Sequence, residues 1–313
     1  MFTRVTAEGA AFELLDPDAS MLRDALPGSG YEPAVCALLK RSLQRPGTVF
    51  LDVGALYGFF SVWAAKATPA TVVAFEPGPR YAAVLEHNLR LNGCEGVRVE
   101  RVALAERTGS ARFSARTLTA EEEQDTTDRA QDRGAWSYLR GLGNHLRRGP
   151  AAGEPITAAP GYWRAEPGPW LAAATSERLG LFTQGADQDE VEVALERLDD
   201  WVTRTGIVPQ VVKIDVHGGE VGVLRGMTEQ LRRRPLELLI EVHTSDLLVA
   251  GSHAELVETL EAAGLDVFEL RGFRGRQGRL VPLVGAAREQ LCDQRRWTAS
   301  ELYFMRFLYA RSR

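Results

Sequence analysis

Cysteine is scarce: Cys36, Cys94 and Cys292 are odd in number and far apart. With no Cys-x-x-Cys pair, neither a zinc site nor a disulfide framework is indicated. No strong charge excess exists either. The 42 acidic and 37 basic residues leave a formal net charge of −5, which gives no general attraction for nucleic acid or an anionic membrane. No apolar run approaches the roughly 18 residues of a membrane span. The opening "MFTRVTAEGAAFELLDPDAS" is acidic and lacks the basic-then-apolar pattern of a secretory signal. A reducing, cytoplasmic setting is the expectation, with no membrane or nucleic acid among the partners. No internal repeat is found. At 313 residues the chain is long enough to bury a sizeable core.

What is present is a rhythm. "TVFLDV" (48–53) is short, apolar and β-branched, which predicts a buried strand. "YGFFSVWAAKA" (57–67) reads as a helix, "TVVAFE" (71–76) as a strand, and "PRYAAVLEHNLRLNG" (79–93) as a helix opened by proline and closed by Asn92-Gly93. "VRVERVAL" (97–104) and "VVKIDV" (211–216) are the third and fourth strands. A helix over 219–234, a fifth strand over 236–242 and a Ser-capped helix over 252–264 follow. "DVFEL" (266–270) and "ELYFMRFLY" (301–309) supply the last two strands. Alternation of this kind predicts an α/β fold with a doubly wound parallel sheet. The final pair leaves no room for a helix like the others, so the last strand is expected to close antiparallel.

Two regions depart from the rhythm. Residues 1–46 precede the first core strand and read as a partly helical extension around "PAVCALLKRSLQR". Residues 115–188 interrupt a cofactor-binding domain otherwise built from 47–114 and 189–313. This insertion is polar and rich in proline and glycine, yet carries Trp136, Trp163 and Trp170. A mobile surface segment and a substrate lid both fit; the tryptophans favour a partly ordered lid. Its Arg133, Arg140, Arg147 and Arg148 suit either an acidic substrate or one solvated helix face.

"VFLDVGALYGFF" (49–60) ends an apolar strand in Asp52 and then spends Gly54 and Gly58 where a helix should begin. Glycine there costs stability unless the backbone must turn sharply or approach something closely. In a doubly wound sheet ligands bind beyond the carboxyl ends of the strands. Gly54 would let the backbone approach a ligand, and Gly58 would permit tight packing at the helix start. The spacing is not the Gly-x-Gly-x-x-Gly of dinucleotide sites, which disfavours an NAD-dependent oxidoreductase. Glu76, ending the second strand in "AFEP", is placed to accept the two hydroxyls of a ribose; a helix-start carboxylate stabilised by the dipole is the plainer alternative.

Together these segments resemble the FkbM-type methyltransferase family. "FLDVGALYGFFSVWAAK", "VVAFEPGPRYAAVLEHNLRLNG", "VERVALAERTGSARF", "LERLDDW", "VVKIDVHGGEVGVLRG" and "LLIEVH" occur in the family's order, covering about 48–114 and 190–245. The resemblance implies a class I methyltransferase: a seven-stranded Rossmann-like sheet, last strand antiparallel, using S-adenosylmethionine. It does not account for the insertion. By the same resemblance Gly54, Ala55, Tyr57 and Gly58 would line the methionine and ribose portions, and Asp52 would orient that loop or meet the amino group. Glu76, with Pro77 beside it, would hold the ribose. Val102 and Ala103 would lie near the adenine, and Asp215 near the sulfonium. Tyr31 and Glu32 would close over the methionine end.

One departure stands out. The family's strand-four motif usually reads Lys-Ile-Asp-Val-Glu-Gly-x-Glu, and here His217 replaces the first glutamate while Glu220 is kept. His217 and His243, both at the catalytic edge, are candidates for a general base acting on a hydroxyl. Each has a structural reading as well. Lys213 lies inward and could pair with Asp215 or Glu241. A divalent metal using Asp215 and Glu241 is another route to activation, but no convincing metal triad can be read. The resemblance implies O-methylation of a small hydroxyl acceptor, a sugar, polyketide or other secondary metabolite. A nucleic-acid methyltransferase is disfavoured by the acidity and by the absence of an Asn-Pro-Pro-Tyr motif. A non-catalytic cofactor-binding or interaction protein is the remaining alternative.

Overall fold

Short β-branched runs separated by amphipathic helices build one large sheet covered on both faces. The computed structural model describes residues 2–16, 31–114, 154–157, 164–167, 190–245, 247–275, 277–297 and 306–312. In chain order these form β1 (Phe2–Ala7), β2 (Ala10–Leu15), α1 (Pro33–Leu43), β3 (Val49–Val53), α2 (Phe59–Ala67), β4 (Thr71–Phe75), α3 (Pro79–Leu91), β5 (Arg98–Glu100), β6 (Ala103–Leu104) and β7 (Gly109–Ser114). There follow β8 (Glu154–Thr157), β9 (Arg164–Pro167), β10 (Glu190–Glu196), α4 (Leu198–Thr205), β11 (Val211–Ile214), α5 (Glu220–Arg225) and β12 (Glu237–Val242). The chain closes with α6 (His253–Ala262), β13 (Leu265–Arg271), β14 (Gln277–Pro282), α7 (Ala286–Cys292) and β15 (Arg306–Ser312).

The main sheet runs β5-β4-β3-β11-β12-β15-β13-β14-β8. Strands β5 to β12 are parallel, and β15 inserts antiparallel between β12 and β13. The expected seven strands and antiparallel last strand are thus present, and β14 and β8 extend the sheet. Strand order reverses between β3 and β11. That switch point opens a crevice beyond their carboxyl ends, where ligands bind in open α/β sheets.

Alternation along each strand sorts the core into two layers. Phe50, Val72, Ala74, Val211, Leu239 and Phe307 face α1, α2, α3 and the β1–β2 hairpin. Leu51, Val53, Val73, Val212, Ile214, Leu238 and Ile240 face α4 to α7. Among the described residues no helix is long and apolar enough to cross a membrane.

Three differences from the sequence reading stand out. The helix around "PAVCALLKRSLQR" forms as α1, but residues 2–15 before it are a hairpin, not helix. Glu8 and Gly9 turn it with φ of 40° and 95°, and Trp63 Nε1 holds it by donating to Ala7 O at 3.1 Å. The third strand splits: β5 stays in the main sheet, whereas β6 pairs with β10 in a separate small sheet. The helix expected over 219–234 stops at Arg225. A Cβ on Gly226 would stand 2.0 Å from Ala105 O, and buried Asp199 instead gathers Glu229 N and Gln230 N at 3.1 and 3.2 Å into a separate turn. The last strand is described over 306–312, overlapping the expected 301–309, and 301–305 fall outside the described residues. So does most of the 115–188 insertion, including Trp136, Trp163, Trp170, Arg133, Arg140, Arg147 and Arg148. Of that stretch only β8 and β9 are described, paired with β14 and β1 respectively.

Candidate functional site

The loop leaving β3 is shaped by its neighbours. Asp215 N donates to Val53 O at 3.0 Å, so β11 runs tight alongside. Gly54 has φ +82°, and a Cβ there would stand 1.8 Å from the Asp215 carbonyl oxygen. The close approach that requires glycine is therefore to the adjacent strand's backbone. Gly58 behaves as expected, since a Cβ would meet Leu85 Cδ1 of α3 at 2.4 Å. Gly54 N and Ala55 N both donate to Phe75 O at 3.0 Å, folding the loop over the end of β4. Tyr57 has its ring turned into the core, edge-on to Tyr81 at 5.6 Å.

Glu76, at the end of β4, holds this loop. Its Oε2 accepts from Leu56 N at 2.9 Å and its Oε1 from Gly78 N at 2.8 Å. Burial pushes the carboxyl up to about 7; the two N–H groups work against that shift, and Asp52 and Asp215 add to it. Each carboxylate oxygen has a second lone pair for a further donor. Pro77 beside it is partly buried. The Val102 side chain packs into the layer beneath Phe75 and Trp201, and Ala103 begins β6.

By strand register, Asp52, Lys213 and Leu239 lie side by side on one face, and Asp215 and Glu241 follow two residues on. Lys213 is 1% exposed; its Nζ sits 2.8 Å from Asp215 Oδ2 and 4.5 Å from the centroid of the Phe60 ring. Burial alone would lower its pKa, but Asp215, Asp52, Glu32 and Glu241 hold it well above the usual lysine range. Asp215 is pushed up by burial and pulled further down by Lys213 and His217, for a net fall. Burial, then the charges of Asp215 and Glu32, drive the Glu241 carboxyl well above the usual carboxylate range. Asp52 is likewise raised by burial, against Lys213 and the 2.6 Å bond from Ser61 Oγ. Tyr31 and Glu32 reach this cluster from the start of α1: Tyr31 packs edge-on against Phe59 at 5.0 Å, and Glu32 is buried. Four carboxyls around one ammonium make an acid-rich pocket floor. Asp52 Oδ1 and Asp215 Oδ1 are buried and accept no hydrogen bond, the pattern of a site for a cationic ligand.

Both candidate histidines stand on the outer side of Asp215. His243, at the end of β12, is 2% exposed, with Nδ1 2.7 Å from Glu220 Oε1 and Nε2 4.0 Å from Asp215 Oδ1. His217 is exposed and sits in the left-handed region at φ +49°, a conformation uncommon outside glycine. Its ring meets that of His243 edge-on, 4.8 Å between centroids. Glu220, fully buried, also accepts from Gly218 N at 3.0 Å. Sequence reasoning noted Glu220 without giving it a place in the site. Its signal was a glutamate three residues past His217, at the start of an apolar helix. Glu241 was considered only as a partner or metal ligand, and its upward pKa shift follows from burial that no local pattern displays.

A sequence model of the FkbM methyltransferase domain matches residues 52–267. The 31-O-demethyl-FK506 methyltransferase FkbM of Streptomyces tacrolimicus is 29% identical over 228 residues, 71% of this chain and 74% of its own length. Among solved structures, methyltransferase FkbM from Methylobacillus flagellatus is 12% identical with a TM-score of 0.40 over 78% of this chain. The match spans about half, 49%, of that longer chain. An O-methyltransferase from Bacillus cereus in complex with SAH is 11% identical with a TM-score of 0.36, covering 92% and 84% of the two chains. Such low scores add nothing to the strand order, on which the fold rests.

Proposed function

The chain belongs to the FkbM methyltransferase family, and from that premise we propose that it transfers a methyl group to a hydroxyl oxygen of a small molecule. S-adenosylmethionine is the cofactor; when bound it would supply an electrophilic methyl for the acceptor oxygen, and the hydroxyl proton would pass to a base of the outer cluster of His217 and His243.

The residues fit that cofactor. The observation that carries the reading is the acid-rich floor at the switch point, Asp52, Asp215, Glu32 and Glu241 around Lys213. A sulfonium and an ammonium are cations, and buried carboxylates with unanswered oxygens favour them. Asp52 Oδ1 would accept from the amino group. Glu76 would accept the ribose hydroxyls on its free lone pairs while Leu56 N and Gly78 N keep it in place. Gly54, Ala55 and Tyr57 would line the methionine side through backbone, Gly58 would keep α2 against α3, and Pro77, Val102 and Ala103 would border the base. Tyr31 and Glu32 would cover the methionine end and exclude water. The hydroxyl would be activated at the outer cluster of Asp215, His217 and His243, with Lys213 holding Asp215 ionised. Holding the oxygen in line with the reacting bond provides much of the rate in such transfers.

An oxygen acceptor is supported by the curated relative, whose name specifies methyl transfer to a 31-O-demethyl compound. The net charge of −5 argues for a small molecule over nucleic acid. The first test is calorimetric titration with S-adenosylhomocysteine, beside NAD, in wild type and Glu76→Ala. Binding that is lost in the variant, with none for NAD, supports the reading; no binding by folded wild type overturns it. Labelled methyl transfer to nitrogen acceptors but never to hydroxyls would overturn the choice of oxygen.

A further inference from the structure

His243 stands between two carboxyl groups. Its Nδ1 lies 2.7 Å from Oε1 of the fully buried Glu220, and its Nε2 faces Asp215 Oδ1 at 4.0 Å. That gap is too long for a hydrogen bond and close to the spacing of two atoms bridged by one ion.

His217 indicates which kind. Held at φ +49° on the loop after β11, it brings a second imidazole to the same point. One ligand atom from each of Asp215, His217 and His243 lies within 4.8 Å of the others. Around a metal with bonds of about 2.0–2.1 Å, ligand atoms stand roughly 3.3–3.4 Å apart. Closing the 4.0 Å gap to that value takes a shift of well under ~1 Å, and the His217 side chain is exposed. Glu220 completes the arrangement, because a metal-bound histidine almost always donates its other N–H to a carboxylate or carbonyl that sets its tautomer.

We propose that Asp215, His217 and His243 bind a divalent transition-metal ion, with Glu220 orienting His243. Two imidazoles and one carboxylate favour Mn²⁺, Fe²⁺ or Zn²⁺ over Mg²⁺ or Ca²⁺. Three protein ligands leave positions for an acceptor oxygen, and a cation there lowers that oxygen's pKa. This role rests on the methyltransferase reading; the site itself does not. The ligand set also differs from the Asp215–Glu241 pair considered from sequence, because the atoms that gather here belong to Asp215, His217 and His243.

The test is binding of Mn²⁺ or Zn²⁺ alone to chelator-stripped full-length protein, with S-adenosylhomocysteine binding measured in parallel. We expect about one equivalent of metal. Asp215→Asn and His243→Gln should lose it, and Glu220→Gln should weaken it on the order of 10–100-fold. His217→Gln, at an exposed position, should weaken it at least about tenfold. His217→Glu keeps three ligands and should shift preference from Zn²⁺ toward Mn²⁺. His87→Gln, on α3, should bind as wild type. Absence of stoichiometric metal, or unchanged affinity in folded His217→Gln, overturns the proposal. S-adenosylhomocysteine binding without metal would sink this site alone, and metal binding without S-adenosylhomocysteine would sink the cofactor reading alone.

Discussion

Glu76→Gln tests the cofactor site through a property of the empty protein. The folded carboxyl is pushed from 4.5 up to about 7 by burial at the end of β4. A shift of about 2.5 units at about 1.36 kcal/mol each comes to about 3 kcal/mol. The unfolded chain sheds this proton near pH 4.5 and the native protein near 7, so the native state binds more protons in between. Stability therefore falls as pH rises through that window, and the full loss is in place above it. Glutamine does not titrate. It can accept from only one of Leu56 N and Gly78 N, which costs roughly 1–3 kcal/mol at every pH. Urea denaturation of ligand-free protein at several values between about pH 5 and 8 should show the wild-type-minus-variant difference changing by about 3 kcal/mol, against the wild type as pH rises. A parallel arm follows S-adenosylhomocysteine. A carboxylate is the better acceptor for ribose hydroxyls, so wild-type affinity should weaken toward tenfold per pH unit below about 7. The variant should be flat in pH and roughly 10–100-fold weaker above 7. A stability difference that stays constant across the window would refute the burial reasoning. Equal affinities at high pH would refute the ribose assignment.

Three further outcomes follow from packing, ion-pair and hydrogen-bond contacts. Gly54→Ala should destabilise by at least about 2 kcal/mol, because φ is +82° and the new Cβ falls on Asp215 O, while Gly96→Ala, with nothing near it, should change stability by less than about 1 kcal/mol; chemical denaturation of the two would expose the error if they matched. Glu269→Ala leaves the Arg306 guanidinium buried without its β13 carboxylate; the expected loss is about 3–5 kcal/mol, and a loss under about 1 kcal/mol in thermal or urea unfolding would contradict it. Asn88→Ala removes bonds to Leu15 N, Leu15 O and Tyr57 O at 2.6, 3.0 and 2.7 Å. It should cost about 2–4 kcal/mol and speed amide exchange in β2 before the main sheet; unchanged exchange there would show that α3 does not hold the hairpin.

Where information is local, the sequence was legible. The Ser252 cap is present, its Oγ accepting from Glu255 N at 3.1 Å, and Pro79 opens α3. Buried strands β3, β4, β11 and β12 lie within one or two residues of their apolar runs. The β1–β2 hairpin also had a signal, Glu8-Gly9 between two alternating runs, which passed unread beside the stronger helical pattern that follows. The end of α5 had none, because Gly226 is required by Ala105 O, more than a hundred residues earlier in the chain.

The alternation along each strand already determined that Asp52 shares a side with Phe50, and that Lys213 and Asp215 share a side with Val211. It also placed acids at strand ends, where an open α/β sheet binds ligands. Which strands stand together, and in what register, only the tertiary structure decided. Pairing Lys213 with Asp52 across β11 and β3 gathers charges from distant segments around one ammonium. The raised pKa values of Glu241 and Glu76, and the approach of His243 Nε2 to Asp215 Oδ1, then follow from burial and distance. Those are properties of neighbours in space, and a carboxylate's neighbours in space are set by the packing of the whole sheet.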